Sequence, residues 1–291
     1  MTQTRAPALH VARTIPLLSE AMSRLRAAGQ RIGFVPTMGA LHDGHAALVR
    51  RITECGDAAV ASIFVNPAQF APNEDLARYP RDEAGDLAVL ADCGCAVAWL
   101  PDAPVMYPSG FATRVALDGP ALGLETDFRP HFFAGVATVV AKLLLQVRPD
   151  YAVFGEKDFQ QLLVVRRLVA DLNIGVEIEG APTVREADGL AMSSRNRYLD
   201  ARSRSIAAAL PATLQAAVQR MEAGESADVV EMAAREQVLA AGFDSVDYVA
   251  VRDAETLAAL PPGPLDRPAR VLAAARIGGT RLIDNWPINP S

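Results

Sequence analysis

The segment Pro36-Thr-Met-Gly-Ala-Leu-His-Asp-Gly-His45 holds two of the chain's four histidines at a point where an apolar run hands over to an amphipathic one. A strand-to-helix handover offers backbone N–H groups and the positive end of a helix macrodipole. Gly39 and Gly44 permit close backbone approach, so the chemistry this segment suits is the binding of a phosphoryl group. Two imidazoles can donate hydrogen bonds to charge that builds during displacement at phosphorus. His42 and His45 are three apart and also admit a metal pair, but two imidazoles without a third ligand make a poor zinc site, so this reading ranks below phosphate. The bland alternative is an ordinary turn with surface histidines, and two histidines inside one such turn weigh against it.

A second candidate is Gly155-Glu-Lys-Asp158, which follows an apolar run and opens a helical pattern. A lysine at a helix start is disfavoured by the macrodipole unless an anion lies nearby, so Lys157 is a candidate phosphate ligand. Met192-Ser-Ser-Arg195 combines two hydroxyls, backbone N–H groups and a guanidinium, a set that suits a polyphosphate, although alone it is an unremarkable loop.

The elements that would position these residues alternate. Apolar spacing predicts a helix from Ile15 to Ala28 stopped by Gly29, a strand at Arg31 to Pro36, a tight turn at Thr37 to Gly39 and a helix from Asp43 to Glu54. A buried strand from Ala58 to Val65 closes a βαβ unit, whose right-handed crossover puts the histidine turn at the carboxyl edge of a parallel sheet. The alternation repeats with a helix from Asp82 to Ala91, a strand at Cys95 to Leu100, a helix from Gly135 to Val147, a strand at Tyr151 to Phe154, a helix from Phe159 to Leu172 and a strand at Gly175 to Glu179. This is the pattern of a doubly wound, Rossmann-like α/β domain, expected over residues 1–184. Thereafter the character changes. A hairpin at Thr183 to Ser194 turning at Ala187-Asp188-Gly189, helices from Ala201 to Met221 and Val229 to Ala241, and β-stretches at Val246 to Arg252, Arg270 to Ile277 and Thr280 to Ile283 predict a smaller α+β domain over 185–291. Pro261-Pro262-Gly263-Pro264 reads as a loop.

Composition limits the function classes. A chain of 291 residues with 51% hydrophobic and 21% charged residues is expected to be globular, and 28 Lys and Arg against 34 Asp and Glu, a net charge of −6, disfavour nucleic acid and anionic membranes as partners. Met1 to Pro16 carries Arg5 and Arg13 without a continuous apolar core, and no segment offers about 18 unbroken apolar residues, so a cytoplasmic location is expected. Cys55, Cys93 and Cys95 suggest neither a disulfide framework nor a thiolate metal site and are expected to be buried fillers.

The histidine turn resembles the H-x-G-H element of the nucleotidyltransferase superfamily. With Phe64-Val-Asn-Pro-Ala-Gln-Phe70, Phe154-Gly-Glu-Lys-Asp-Phe-Gln-Gln161, Asp188-Gly-Leu-Ala-Met-Ser-Ser-Arg-Asn196 and Leu282-Ile-Asp-Asn285 in that order, nearly the whole chain resembles the pantothenate synthetase family. The resemblance implies ATP-dependent condensation of pantoate with β-alanine through a pantoyl adenylate, releasing pyrophosphate and then AMP. It implies ATP contacts at Met38, Gly39, Ala40, Leu41, His42, Asp43, Gly44 and His45, at Gly155, Glu156, Lys157 and Asp158, at Val184 through its backbone, and at Met192, Ser193, Ser194 and Arg195. His42, His45 and Lys157 would be catalytic, with His45 donating to the leaving group. Gln69 and Gln161 would bind pantoate, whose hydroxyls and carboxylate suit neutral amides. Mg2+ would accompany ATP, with Asp86 as a candidate contact, and a homodimer is implied.

Two departures stand out. The family usually reads Arg-Pro-Gly-His-Phe where this chain has Arg129-Pro-His-Phe-Phe133, which moves the histidine one position earlier and loses the glycine. Gly279-Thr-Arg281 lacks the Lys or Ala expected after glycine. Two rivals share the histidine turn: a nucleotidyltransferase that keeps its adenylyl product, and a nucleotide-sensing module without turnover. The adenylate would need shielding from water, so residues 182–196 are expected to serve as hinge and lid.

Overall fold

The computed structural model describes residues 8–72, 74–263 and 265–290. Two compact units are present, one made of residues 1–117, 129–156 and 164–182, the other of 118–128, 157–163 and 183–291. Short segments from the middle of the chain thus belong with its C-terminal part.

The first unit is built on a six-stranded, wholly parallel sheet. Its strands are β1 (His10–Ala12), β2 (Ile32–Thr37), β3 (Ala58–Ile63), β4 (Val97–Trp99), β5 (Tyr151–Gly155) and β6 (Glu177–Ala181), in the order β1-β4-β3-β2-β5-β6. Central strands β2, β3 and β5 are buried at nearly every position. Burial on both faces is why they read as continuous apolar runs rather than alternating ones. Helices α1 (Ile15–Ala27), α2 (Asp43–Glu54), α3 (Glu83–Asp92), the one-turn α4 (Ala103–Met106), and most of the crossover connections belong to this unit. The strand order reverses where β2 neighbours β5, and the crevice outside the carboxyl ends of the strands at such a point is where open α/β sheets bind ligands.

The second unit contains the one-turn α5 (Glu125–Phe128), and the first contains the long α6 (Phe132–Val147). Helix α7 (Phe159–Asp171) begins in the second unit and ends in the first. Beyond it come α8 (Ala201–Ala207), α9 (Ala209–Glu222), α10 (Ala227–Ala240) and an antiparallel sheet β7 (Ser245–Asp253), β8 (Ala269–Ile277) and β9 (Thr280–Ile288). Leu210, Leu214, Val230, Val238, Val271 and Ile288 form its core, each less than 1% exposed.

Several expectations needed correction. The helix expected from Ala201 to Met221 is broken at Ala208 into α8 and α9. Pro211 lacks an N–H for the Ala207 carbonyl and would clash with it, so the chain restarts and places the proline in a first turn. The strand at His10–Ala12 was not anticipated, because three residues carry no period. Strand β9 runs on to Ile288, through Pro287 on a sheet edge where no ladder bond is lost. Cys55 caps α2 and is exposed, unlike Cys93 and Cys95. Burial pushes the Cys95 thiol up to about 12, which makes it inert. Pro261 to Gly263 is irregular as expected, while Pro264 lies outside the described residues.

Arg281, at a position without assigned weight in the sequence, joins two parts of the second unit. Its Nη1 lies 2.7 and 2.9 Å from the two Glu125 oxygens and its Nε bonds Asp247 at 2.6 Å, all largely buried. Segment 118–128 is further held by Gln160, whose amide accepts from Glu125 N–H at 3.1 Å and donates to the Pro120 and Gly123 carbonyls.

Candidate active site

In the first unit, β2 ends at Thr37, whose hydroxyl donates to the Ser62 carbonyl (2.6 Å) and accepts from Gly39 N–H (3.2 Å). Gly39 and Ala40 follow with φ of 80° and 51°, turning the chain sharply toward α2. A side chain at Gly39 would sit 2.8 Å from an Asp86 oxygen, so only glycine fits there. Asp86, from α3 and 4% exposed, braces the turn by accepting from Ala40 N–H (3.0 Å) and Leu41 N–H (2.7 Å).

His42 is the N-cap of α2, and its Nδ1 accepts from Gly44 N–H at 3.1 Å. His45 closes the box, its Nδ1 accepting from His42 N–H at 3.4 Å. The rings lie 4.2 Å apart between centroids. With Nδ1 as acceptor in both, each neutral imidazole carries its proton on Nε2, which makes that edge a hydrogen-bond donor. The expected source of anion affinity therefore shifts. The backbone N–H groups of Gly39, Ala40, Leu41, His42 and Gly44 are satisfied within the turn, which leaves the imidazole Nε2 edges as side-chain donors at the helix N-terminus.

Gln69 belongs to a 3-10 turn over Pro67–Gln69 opened by Asn66. Asn66, 1% exposed, has its amide fully used: it donates to Gln69 Oε1 (3.0 Å) and the Gly135 carbonyl (3.2 Å), and accepts from Ala68 N–H and the Tyr107 hydroxyl (2.6 Å). Gln69 is 7% exposed, and its Nε2 lies 2.9 Å from the Met38 sulfur. Gly135 on α6 lets the helix approach, since a Cβ there would lie 2.3 Å from the Ala68 carbonyl oxygen. Arg129 pairs with Glu74 through two 2.7 Å bonds, donates to the Gln69 carbonyl (3.2 Å) and stacks on Phe132. The first unit thus brings His42, His45, Met38, Gln69 and Asp86 into one hydrogen-bonded neighbourhood. His131, at the shifted position, lines a pocket of about 530 Å³ that borders the Gln69 turn at Pro67, Ala68 and Gly135, together with Tyr107 and Arg114, and its buried Nε2 has no hydrogen-bond partner among the described residues.

In the second unit, Lys157 and Asp158 lie in a 3-10 turn leading into α7, with Lys157 Nζ 3.7 Å from an Asp158 oxygen. Lys157 therefore has a carboxylate beside it to offset the helix dipole. Gln161 is half-buried on α7, on a different face from the buried Gln160. The hairpin turns where expected, with Glu186 N–H to the Leu190 carbonyl (2.8 Å) and Met192 N–H to the Val184 carbonyl (3.0 Å). Ser193 caps the 3-10 turn Ser194–Tyr198, accepting from Arg195 N–H at 3.3 Å. Arg204 grips Glu186 and Asp188, and Arg185 makes a bidentate pair with Asp284 (2.8 and 2.9 Å).

Asn66, Thr37 and Arg129 were not singled out from sequence. The Asn-Pro at 66–67 was the available signal for Asn66, since Asn before Pro opens turns. Asp86, the candidate magnesium contact, has each of its oxygens accepting one backbone N–H of the turn. Among the described residues no group of three or more His, Cys, Asp or Glu could hold a metal, and no helix is long and apolar enough to cross a membrane.

Comparison with known proteins bears on this arrangement. The family model for pantoate-beta-alanine ligase matches residues 10–287. Pantothenate synthetase from Paramagnetospirillum magneticum is 54% identical over 284 residues, covering 97% of this chain and 99% of that protein. The crystal structure of pantothenate synthetase from Thermus thermophilus superposes with a TM-score of 0.89 at 45% identity, covering 97% of this chain and 100% of that one. Pantoate-beta-alanine ligase from Francisella tularensis, complexed with beta-gamma ATP and beta-alanine, superposes with a TM-score of 0.79 at 32% identity over 96% and 97% of the two chains. With its parallel sheet, its braced histidine turn and matches that span nearly its whole length, the chain belongs to the pantoate–β-alanine ligase family.

Proposed function

We propose that the chain makes pantothenate in two transfers: a pantoate carboxylate oxygen attacks the α-phosphorus of ATP and expels pyrophosphate, and the β-alanine amine then attacks the pantoyl carbonyl and expels AMP. The observation that carries this reading is the reciprocal capping of His42 and His45, which makes Nε2–H the donor edge of both rings at a helix N-terminus. Such donors suit the charge on a pentavalent phosphorus, and removing one typically costs about 3 kcal/mol of barrier. His45 serves the leaving pyrophosphate and Lys157 a phosphate oxygen.

The ATP contacts of this proposal are Met38 to His45, Gly155 to Asp158, Val184 and Met192 to Arg195, with Gln69 and Gln161 on pantoate. Gln69 is held by Asn66 and lies against Met38, which supports a fixed amide for the acid. Mg2+ enters with ATP. Asp86 is 4% exposed and each of its oxygens accepts one backbone bond, from Ala40 and Leu41, so in this proposal its carboxylate serves the turn rather than the ion. Residues 1–184 carry most of the substrate contacts, while 185–291, which add Met192 to Arg195, act as a lid that keeps water from the adenylate, in a cytoplasmic homodimer.

Pantoate labelled with 18O in its carboxylate tests the order of chemistry. With MgATP and β-alanine, label is expected in AMP. Unlabelled AMP, or ADP as the main product, would overturn the mechanism. An adenylylated product that persists in the presence of β-alanine would favour the nucleotidyltransferase rival, and binding without turnover the sensing module.

A further inference from the structure

The Leu282-Ile-Asp-Asn285 stretch of β9 has no part in the chemistry above, yet its last two residues hold both nucleotide-binding segments of the second unit. Asn285, 3% exposed, donates from Nδ2 to the Lys157 carbonyl at 2.8 Å. Its Oδ1 accepts from Nε of Arg270 at 2.6 Å, and Arg270, 7% exposed, lies over the ring of Phe159 with its guanidinium carbon 3.8 Å from the centroid. One buried pair from β8 and β9 therefore meets the chain at Lys157 and at Phe159, the residues flanking Asp158. Asp284, 2% exposed, takes Arg185 in the bidentate pair and accepts from Asn285 N–H at 2.8 Å. Arg185 sits beside Val184 and also donates to the Gly189 carbonyl, so the hairpin leading to Met192–Arg195 hangs from Asp284.

We infer that Asn285 and Arg270 are positioning residues for Lys157, and that Asp284 is a positioning residue for the hairpin leading to Met192–Arg195. The inference rests on the role given to Lys157 above. A buried amide could serve as a generic ladder filler, but here each of its polar atoms goes to a different functional neighbour. A lysine reaching a phosphate from a turn needs its backbone held, because a misplacement of about 1 Å can cost about a hundredfold in rate. A buried arginine must have its fork satisfied, and Asn285 supplies one acceptor without adding a charge.

The test is pyrophosphate release with saturating ATP and pantoate, measured for Asn285→Asp in the natural chain and in a Lys157→Ala background. Asn285→Asp keeps the acceptor for Arg270 and replaces the donor facing the Lys157 carbonyl with a repelling oxygen. A loss of about ten- to hundredfold is expected in the natural chain, with the KM for pantoate unchanged. In the Lys157→Ala background less than about twofold further loss is expected, since residues acting through one another are not additive. Arg270→Lys, which keeps the charge but loses the fork, is expected to repeat the pattern and carries the test if Asn285→Asp fails to fold. Asp284→Asn is expected to raise the KM for ATP instead. Equal losses in both backgrounds, or full activity of Asn285→Asp, would overturn the inference while leaving Lys157 catalytic. Full activity of Lys157→Ala alone would show that the role given to Lys157 had failed first.

Discussion

Replacing Asp86 by Asn separates a brace from a metal ligand. The carboxylate is 4% exposed and accepts two backbone bonds, 3.0 Å from Ala40 N and 2.7 Å from Leu41 N. Asparagine keeps one acceptor and turns an NH2 group on the other N–H, so a buried donor is left unsatisfied, at about 1–3 kcal/mol, and donor faces donor. Ala40 has φ of 51°, a left-handed conformation that costs a non-glycine residue about 1 kcal/mol and persists only while its surroundings hold it. A loss of about 1–3 kcal/mol is expected, with the melting temperature lower by about 2–10 °C. The displaced turn carries His42 and His45, so pyrophosphate release should fall in parallel, while the Mg2+ concentration giving half-maximal rate stays where it was. Differential scanning fluorimetry and a Mg2+ titration of the rate check both. An unchanged melting temperature with a raised Mg2+ requirement would refute the bracing role and restore Asp86 as a metal contact.

His42→Ala and His45→Ala should differ in their stability signature. His42 is the N-cap, so its loss should cost about 0.5–2 kcal/mol as well as rate, whereas His45→Ala, which gives up only the longer 3.4 Å bond from His42 N–H, should lose less stability yet release pyrophosphate at least about a hundredfold more slowly; near-normal release by a folded His45→Ala would sink its assignment. The Arg129–Glu74 pair predicts a pH signature. Burial alone would raise the Glu74 pKa, but the Arg129 hydrogen bonds and charge outweigh it and hold the carboxyl below its ordinary 4.5. A depressed carboxylate contributes stability that is fully present above 4.5 and is lost as pH falls through the folded value. Arg129→Met should therefore be less stable than the natural chain at neutral pH, with the gap narrowing below about pH 4.5 in urea melts, and a gap independent of pH would count against the pair.

The place of the histidine turn was readable in the sequence, because the flanking strands β2 and β3 are apolar on both faces and α2 has a clear helical period. The doubly wound class followed from the same local signals, and so did the hairpin at Ala187-Asp188-Gly189. The break at Ala208 was also written locally, in Pro211, but the amphipathic spacing on either side masked it. What the turn's N–H groups do was not readable. Their occupation depends on Thr37 and on Asp86, the latter 45 and 46 residues away from its partners, and no local period encodes such a pairing. Arg281 looked like an idle departure until the fold set it against Glu125, 156 residues earlier, and Asn285 acquired a role by meeting the Lys157 carbonyl across 128 residues. Sequence by itself determined which residue types could do the chemistry and on which kind of element they lie, since propensity and hydrophobic period act over one or two turns. Only the tertiary structure decided which polar atoms are spent on bracing the turn and the hairpin, because burying a polar group obliges it to find a partner wherever the chain happens to supply one.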